Sequence, residues 1–402
     1  MVTAPLKILF LSRWFPYPPD NGSKIRIYNL LKVLSNEHRV DLLSFSSEKL
    51  APEHLSVLLN ICREVQVIDF HPRRSAGFQA WVHLLSPTPR AYLEQFSVEM
   101  QRRVVSTFER EQYDVVIASQ IDMAPYVLSL VEVPKIFEEL ELTTIYDAFI
   151  QSDNPAKRLR YGLTWLKTSR YTARLLRQFD GCTVVSEVEK RRVEMAAPNY
   201  RQVCVVPNGV DVPDNPINRA LLEADSLVYS GSLTYGPNYD AIAFFLSEIF
   251  PLIRVQRPNV RLYITGKLDE ALLDSLPDRE GVVFTGYLPD VQSRVSRAWA
   301  SVVPLRSGGG TRLKILEALG LGVPVITTSK GMEGLDLIPE KDILVADEAP
   351  EFASAVVEVL SSPKRREQLS RAGMEAVRRS YDWRLIGPQF CRYVEKIAES
   401  GR

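Results

Sequence analysis

The chain has 402 residues, of which 46% are hydrophobic and 24% are charged, and this globular composition argues against a disordered, collagen-like or coiled-coil protein. Its 49 basic residues balance its 49 acidic residues, so the overall charge gives no reason to expect binding to nucleic acid. The four cysteines form no CxxC pair, which argues against a disulfide framework or a zinc site and predicts reduced thiols in a cytoplasmic protein.

No apolar run approaches the roughly 18 residues that a membrane-spanning helix needs. The apolar stretch near the start is short and is interrupted by Lys7, so it is expected to be a first strand rather than a signal peptide. We therefore predict a cytoplasmic protein that is at most peripheral to the inner face of a membrane.

Short runs of apolar and β-branched residues recur along the chain and predict two sets of strands. The first set lies at residues 8–12, 40–45, 65–70, 114–119, 135–138, 182–186 and 203–207. The second set lies at residues 227–231, 261–266, 282–286, 300–305, 323–328 and 343–347. Continuous apolar runs are typical of strands that are buried on both faces, and helical periodicity in most of the intervening stretches predicts βαβ units and parallel sheets.

A stretch rich in proline and turn-forming residues separates the two sets of strands and is the strongest linker candidate. We therefore predict two doubly wound α/β domains, a first domain at 1–206 and a second at 223–380, joined by a linker at 207–222. In open parallel sheets, ligands bind outside the carboxyl ends of the strands, so the strand-to-helix loops are the candidate sites.

The loop after the first predicted strand ends at a helix start with Asn21, Gly22, Ser23 and Lys24. Gly22 and Ser23 would allow an anion to approach free backbone N–H groups, and Lys24 would add charge. The alternative is that Asn21 or Ser23 simply caps the helix.

The strongest candidate is a loop with three consecutive glycines between a strand and a helix. Its glycines are Gly308, Gly309 and Gly310, and its basic residues are Arg306, Arg312 and Lys314. Consecutive glycines cost ordering entropy, and close backbone approach to a ligand is the usual reason for them. The helix begins near Thr311, so its N–H groups and dipole favour a phosphate there. Glu317, further along the helix, is placed to accept hydrogen bonds from a ribose diol.

Further glycines follow three other strands of the second set. They occur in Gly231-Ser232, Gly266-Lys267 and Gly286-Tyr287-Leu288. Each is a weak signal alone, but together with the glycine triplet they outline a nucleotide-binding edge.

These motifs, in this order and spacing, resemble the retaining glycosyltransferases of family 4, in the glycosyltransferase group 1 superfamily. The residues that carry the resemblance are Val206-Pro207-Asn208-Gly209-Val210-Asp211, Tyr229-Ser230-Gly231-Ser232, Phe284-Thr285-Gly286-Tyr287, Gly308–Leu319, Gly322-Val323-Pro324-Val325-Ile326, Gly331-Met332-Glu333-Gly334-Leu335 and Tyr381-Asp382-Trp383. The resemblance implies a GT-B fold, in which two Rossmann-like domains face a central cleft that closes over the donor.

Several functional expectations follow from the resemblance. A nucleoside diphosphate sugar, with UDP or GDP as the nucleotide, would bind the second domain, and a glycan, lipid-linked or small-molecule acceptor would bind the first. A hexose would be transferred with retention, without a metal or other cofactor, in cell-envelope or exopolysaccharide biosynthesis. A final helix within 381–402 would cross back to the first domain.

The departures from the family pattern concern charge. Gly309 stands where the family has the first of two glutamates, Leu140 stands near the usual histidine, and Ser232 replaces an arginine. We infer that Arg312 and Lys314, helped by Arg306, neutralise the donor diphosphate. Of the carboxylates Glu138, Glu139 and Glu141, one is expected to face the reacting sugar; the alternative is that they face solvent.

Residues 157–177 carry seven basic residues and no acidic one. This basic amphipathic helix suits a membrane surface or a diphosphate-linked lipid, and the alternative is a solvated face over a packed one. An apolar stretch at 78–85 is a second candidate for a surface element, but it is rather expected to pack in the core.

Two other functions remain open at this stage. One is a sugar-nucleotide 2-epimerase-like isomerase, which the scarcity of histidine disfavours. The other is a catalytically inactive, donor-binding regulatory partner, which the residues Gly309 and Leu140 would explain.

Overall fold

A computed structural model describes residues 4–400 apart from 48, 71–85, 87, 90–93, 215–221 and 278. The apolar stretch at 78–85 therefore lies outside the described residues, as does much of the linker predicted at 207–222. The chain divides into two compact units, one formed by Met1–Pro207 with Ile386–Arg402 and the other by Asn208–Leu385.

The first unit is a seven-stranded parallel sheet with the order β3-β2-β1-β4-β5-β6-β7. Its strands are β1 (Lys7–Ser12), β2 (Arg39–Ser46), β3 (Glu64–Asp69), β4 (Val115–Ser119), β5 (Lys135–Glu138), β6 (Gly181–Val184) and β7 (Val203–Val205). Its helices are α1 (Gly22–Glu37), α2 (Pro52–Leu59), α3 (Val98–Arg110), α4 (Thr143–Ile150), α5 (Pro155–Leu176) and α6 (Glu187–Ala196), with a 3₁₀ turn at Ala124–Val127.

The second unit is a six-stranded parallel sheet with the order β10-β9-β8-β11-β12-β13. Its strands are β8 (Ser226–Ser230), β9 (Arg261–Thr265), β10 (Val282–Gly286), β11 (Ala300–Val303), β12 (Val325–Thr327) and β13 (Leu344–Val345). Its helices are α7 (Gly236–Phe244), a π-helical continuation (Phe245–Ile249), α8 (Phe250–Gln256), α9 (Glu270–Asp274), α10 (Val291–Ser296), α11 (Leu313–Gly320), α12 (Ser329–Met332), α13 (Ala349–Ser361) and α14 (Pro363–Ser380).

The central strands are buried on both faces, as their apolar sequences predict. In β1, the residues from Ile8 to Leu11 are 0% exposed, and in β8 the same holds for Leu227, Val228 and Tyr229. Each strand that was predicted from the sequence is present in the described chain, and the prediction of two doubly wound parallel sheets is confirmed.

The strand order reverses once in each sheet, and each reversal marks a candidate ligand position. In the first sheet, β2 and β4 flank β1, and in the second sheet β9 and β11 flank β8. At such a point the connections leave on opposite faces of the sheet, so a crevice opens outside the carboxyl ends of the two strands. The loops after β1 and β4, and those after β8 and β11, are therefore the first places to look for function.

The last helix, α15 (Trp383–Ser400), begins in the second unit and belongs to the first unit from Ile386 onward. Within the first unit, the Cys182 backbone N–H donates to the Tyr393 hydroxyl over 2.9 Å, which anchors the helix at β6. Gly387 is pressed against Val33 of α1, where an added Cβ would come within 2.7 Å of a valine methyl group.

Candidate active site

A lysine, a tyrosine and an asparagine meet at the reversal point of the second sheet. The Lys314 ammonium donates to the Tyr229 hydroxyl over 2.9 Å and to Asn238 Oδ1 over 2.8 Å. The tyrosine hydroxyl also donates to Asn238 Oδ1 over 2.8 Å, and the asparagine amide donates to the Ser232 carbonyl over 2.8 Å. The cluster thereby joins β8, the start of α7 and the first turn of α11.

Gly231 leaves room for this cluster directly after β8. An added Cβ would lie 2.6 Å from Lys314 Nζ and 2.8 Å from Asn238 Nδ2, distances that real Cβ atoms essentially never show. Its φ of +152° is also rare for residues with a side chain. The glycine predicted here is therefore needed both for its conformation and for the close approach of the lysine.

Arg312 organises the glycine loop by binding its carbonyl groups. Its guanidinium donates to Gly308 O over 2.8 Å, to Gly310 O over 2.7 Å and also to Gly309 O. Because N–H and C=O point in opposite directions across a trans peptide, the N–H groups of Gly309, Gly310 and Thr311 point away from the guanidinium. Among the described residues, these three N–H groups donate no hydrogen bond, so they are available to an anion.

Arg312 and Arg306, which were both expected to bind the donor diphosphate, are engaged by other groups of the protein in this structure. The Arg312 side chain is 6% exposed and three loop carbonyls hold its guanidinium, because the loop turns back over the residue that precedes α11. Arg306 is engaged as well, since its guanidinium pairs with Asp240 over 2.6 Å and lies over the Phe244 ring. Of the three predicted cations, Lys314 is the one that borders both Gly231 and the start of α7.

Lys314 and Glu317 share a half-buried environment on α11 that shifts both of their pKa values. Loss of hydration, followed by repulsion from Arg312, lowers the pKa of Lys314 to about 7. Loss of hydration raises the pKa of Glu317 to about 7, while the lysine opposes this shift. Both groups therefore titrate near neutral pH, and an incoming dianion would favour the charged form of the lysine.

The remaining predicted donor residues line the same carboxyl edge. Ser232 shares a hydrogen bond of 2.7 Å with Thr234, and Thr311 accepts one of 2.9 Å from Asn208. Gly286 ends β10 with a φ of +69°, Tyr287 is 56% exposed and Leu288 is half-buried. Sequence reasoning assigned no role to Tyr229, Asn238 or Asn208, although Tyr229 and Asn208 lie within the motifs that carry the family resemblance.

In the first unit, the loop before α1 makes the capping contacts that were the alternative interpretation. Asn21 Oδ1 accepts a hydrogen bond of 3.1 Å from the Lys24 backbone N–H, and the lysine ammonium pairs with Asp20 over 2.9 Å. Gly22 and Ser23 form the first residues of the helix.

Glu138 was expected to face either the reacting sugar or solvent, and the structure shows that neither expectation is correct. It is 0% exposed and pairs over 2.6 Å with Arg26, which is also 0% exposed. Ser119 donates to the other carboxylate oxygen over 2.5 Å, and the arginine also donates to the Val206 carbonyl over 2.9 Å. Two central strands and α1 enclose this carboxylate, so it is a buried structural ion pair.

Glu139 and Glu141 remain near the carboxyl edge. Glu139 has a φ of +57° and accepts a 3.1 Å hydrogen bond from Gln120, which has a φ of +71°. Burial, and then the neighbouring Glu138, raises the pKa of Glu139. Glu141 is exposed and accepts a hydrogen bond from Thr144 over 2.7 Å, whereas Leu140 is buried.

One group of potential metal ligands occurs in the described chain: Glu37, His38 and Glu395. The Leu6 backbone N–H donates to His38 Nδ1, so the neutral imidazole carries its proton on Nε2, which faces Glu395 at 3.6 Å. His38 directly precedes β2, at the amino edge of the sheet. These contacts bring α15 close to the start of β2, and among the described residues His38 Nε2 is buried without a hydrogen-bond partner.

The basic segment predicted at 157–177 forms most of α5, and its two halves differ. The second half packs through Thr168, Tyr171, Thr172, Leu175 and Leu176. The first half exposes three leucines at positions i, i+4 and i+7, namely Leu159 (67%), Leu163 (59%) and Leu166 (44%). Exposed basic residues lie among them at Lys157, Arg158 and Arg160. No helix in the described ranges combines the length and hydropathy needed to cross a bilayer.

Comparison with known proteins gives matches in both units. A family model described as Glycosyltransferase Family 4 matches residues 20–213, and one described as Glycosyl transferases group 1 matches residues 224–362. An uncharacterized 44.6 kDa protein in the cps region of Klebsiella pneumoniae is 20% identical over 94% of this chain and 97% of its own. A phosphatidyl-myo-inositol mannosyltransferase of Mycobacterium leprae is 27% identical over 49% of this chain and 54% of its own. The solved structure of sucrose-phosphate synthase from Thermosynechococcus elongatus shares the fold with a TM-score of 0.73, at 18% identity over 98% of this chain and 100% of that one.

Proposed function

The chain belongs to the family 4, group 1 glycosyltransferases of the GT-B fold, and we propose that it transfers a hexose from a UDP- or GDP-sugar with retention of configuration. The observation that carries the donor assignment is the pairing of the glycine loop with Lys314 at the reversal point of the second sheet. Three free N–H groups and one ammonium there offer donors to a diphosphate.

In the proposed reaction, the bond between the anomeric carbon and the diphosphate oxygen breaks. The acceptor hydroxyl forms the new bond on the same face of the sugar, and its proton passes to the departing phosphate oxygen. The loop N–H groups and Lys314 stabilise the charge that develops on the leaving group. Glu317 would hold the ribose diol, and no protein base or metal ion is required in this scheme.

The test is turnover by the full-length protein with UDP-, GDP- and ADP-hexoses and a panel of glycan and lipid-linked acceptors. We expect nucleoside diphosphate release and, by NMR, a product with the anomeric configuration of the donor. An inverted product would overturn retention, and loss of activity in EDTA would overturn metal independence. An epimerised donor would instead support the isomerase, and tight binding without turnover would support the inactive regulatory partner. A thermal-shift screen with UDP, GDP and ADP selects the nucleotide first.

We further propose that the acceptor is lipid-linked and that the first half of α5 lies on the membrane surface. Support comes from the exposed stripe of Leu159, Leu163 and Leu166 with its neighbouring basic residues. An apolar stripe flanked by cations suits the boundary between acyl chains and anionic headgroups.

Co-sedimentation with vesicles tests the membrane proposal. We expect binding to phosphatidylglycerol vesicles that weakens with salt, weaker binding to phosphatidylcholine, and loss of binding in the triple variant L159S/L163S/L166S. Val255→Ser provides the control, because Val255 is 82% exposed in the second unit. Binding of the triple variant equal to that of the wild type would refute the proposal. The cytoplasmic location stays a prediction.

A further inference from the structure

We infer that Arg13 forms an anion-binding site at the carboxyl edge of the first sheet, which takes the phosphate or carboxylate of a negatively charged sugar or polyol. We assign this negatively charged sugar or polyol to the acceptor of the reaction, and only that assignment rests on the proposed function. Arg13 opens the loop after β1, but sequence reasoning selected only the end of that loop, at Asn21–Lys24.

The position of Arg13 is the reversal point of the first sheet. Arg13 directly follows β1, and Asp122, its nearest carboxylate, lies three residues after the end of β4. The neighbouring β2 and β3 contribute Phe45 and Phe70 at their carboxyl ends. Because all these strands are parallel, the four contributions meet at one edge of the sheet.

Arg13 is almost buried and yet carries unused hydrogen-bond donors. It is 8% exposed, and its guanidinium lies 3.6 Å from the centre of the Phe70 ring and 4.4 Å from that of Trp14. Its Nε is buried without a hydrogen-bond partner and lies 3.4 Å from an oxygen of Asp122. In the described part of the chain, its two terminal nitrogens donate no hydrogen bond either. A guanidinium has five N–H donors, and the donors of the two terminal nitrogens, which are not fully buried, can be reached by an incoming oxyanion.

Asp122 does not fully balance this charge. With the Gln95 amide oriented to donate, its nitrogen lies 2.7 Å and 3.1 Å from the two aspartate oxygens, so the carboxylate already has a neutral partner. Burial raises the pKa of Asp122, and burial lowers the pKa of Arg13 despite the nearby aspartate. Both directions indicate that the pair lacks hydration and that an additional oxyanion would stabilise the arginine cation.

Trp14 indicates what the anion is attached to. The Trp14 backbone N–H donates to Ser12 Oγ over 3.2 Å, and the Ser12 hydroxyl donates to the Trp14 backbone carbonyl over 2.5 Å, so the turn after β1 is held locally. The indole remains 38% exposed beside the guanidinium. A ligand whose oxyanion binds Arg13 would lay its carbon skeleton against this indole, which suits a sugar or polyol.

Isothermal titration of the full-length protein with glycerol 3-phosphate, glucuronate and glucose tests the inference. We expect at least one of the two anions to bind, glucose to bind more weakly, and Arg13→Gln to weaken anion binding about tenfold or more, since a charge-assisted bidentate contact is lost. Arg13→Lys keeps the positive charge but loses the two parallel N–H donors of the guanidinium, so its anion affinity should lie between those of the wild type and Arg13→Gln. Arg103→Gln is the matched control, because Arg103 is exposed on α3 of the same unit.

Two results would overturn the inference: no anion binding by the wild type, or equal anion affinity in wild type and Arg13→Gln. If Arg13→Gln does not fold, Asp122→Asn takes its place. This substitution keeps the side-chain shape and removes the competing negative charge, so it should tighten anion binding, and an unchanged or weaker affinity would overturn the inference.

Donor turnover measured on the same preparations separates this inference from the proposed function. Anion binding that depends on Arg13, without any turnover, counts against the proposed function alone; turnover without anion binding counts against this inference alone.

Discussion

Replacement of Lys314 by methionine should separate donor binding from folding. The ammonium binds the Tyr229 hydroxyl and Asn238 Oδ1, but those two groups also bond to each other over 2.8 Å and keep that bond when the ammonium is removed. Methionine fills most of the space of the lysine stem, and the desolvated charge disappears. We therefore expect the free energy of unfolding at neutral pH to change by less than about 1 kcal/mol.

The effect on donor binding should be much larger. In the proposed site, Lys314 supplies a charge-assisted hydrogen bond to the diphosphate, and such bonds contribute about 1.5–3 kcal/mol. The affinity for the nucleoside diphosphate should accordingly fall about 10- to 100-fold.

The lowered pKa of Lys314 determines the direction in which stability and nucleotide affinity change with pH. The pKa of Lys314 is about 7 in the folded protein, whereas an unfolded chain keeps the lysine charged to about pH 10.4. Between these values the unfolded state binds more protons, so the contribution of Lys314 to stability rises with pH over this interval, and K314M lacks that rise. In the proposed site the diphosphate binds the charged lysine, so the affinity of the wild type should decline as pH rises above about 7.

The assays are nucleotide titration by calorimetry and urea unfolding, both from pH 6 to 9. Lys341→Met is the control, because Lys341 is an exposed lysine of the same unit. Wild-type nucleotide affinity in K314M, or a loss of several kcal/mol in its stability at pH 7, would refute the assignment of Lys314 to the donor site.

Two further predictions concern close packing and buried charge. Gly231→Ala places a Cβ 2.6 Å from Lys314 Nζ and should destabilise the protein by about 1–3 kcal/mol and abolish the nucleotide-induced thermal shift, whereas Gly236→Ala, with open space around its Cβ, should keep the shift. A retained shift in the Gly231 variant would contradict this reasoning. Arg26→Met leaves the Glu138 carboxylate buried and unpaired and should cost about 3–5 kcal/mol in urea unfolding, while R26M/E138L should recover part of the loss; equal stability of the single and double variants would count against a buried ion pair.

The order of strands and helices could be predicted because its signals are local. Strands buried on both faces appear as continuous apolar runs, and glycines after strands mark the loops. The errors in the predicted strand bounds also have local causes. The strand predicted at 182–186 ends at Val184, because Ser186 caps α6 by accepting a hydrogen bond from the Glu189 backbone N–H over 3.2 Å. Serine before a helix is a capping signal, and the apolar run obscured it.

The proposed donor site was predicted only in part. The glycine loop, Lys314 and the glycine after β8 were identified from composition and resemblance. The partners of the lysine were not identified, because Tyr229 and Asn238 lie 85 and 76 positions away in the sequence. For the same reason the sequence could not show that Asp240 pairs with Arg306, 66 positions away.

By itself, the sequence determined the class of fold, the family and the strand-to-helix loops that are candidates for ligand binding, since apolar periodicity and glycine spacing act within one βαβ unit. Only the tertiary structure decided which charges face which. The balance of 49 basic and 49 acidic residues does not distinguish Arg26, which is buried against Glu138, 112 positions away, from Arg13, which lies in an aromatic cage with unused donors. Crossover connections bring distant residues to one sheet edge, and the burial found there sets the protonation and the available hydrogen bonds of each charged group.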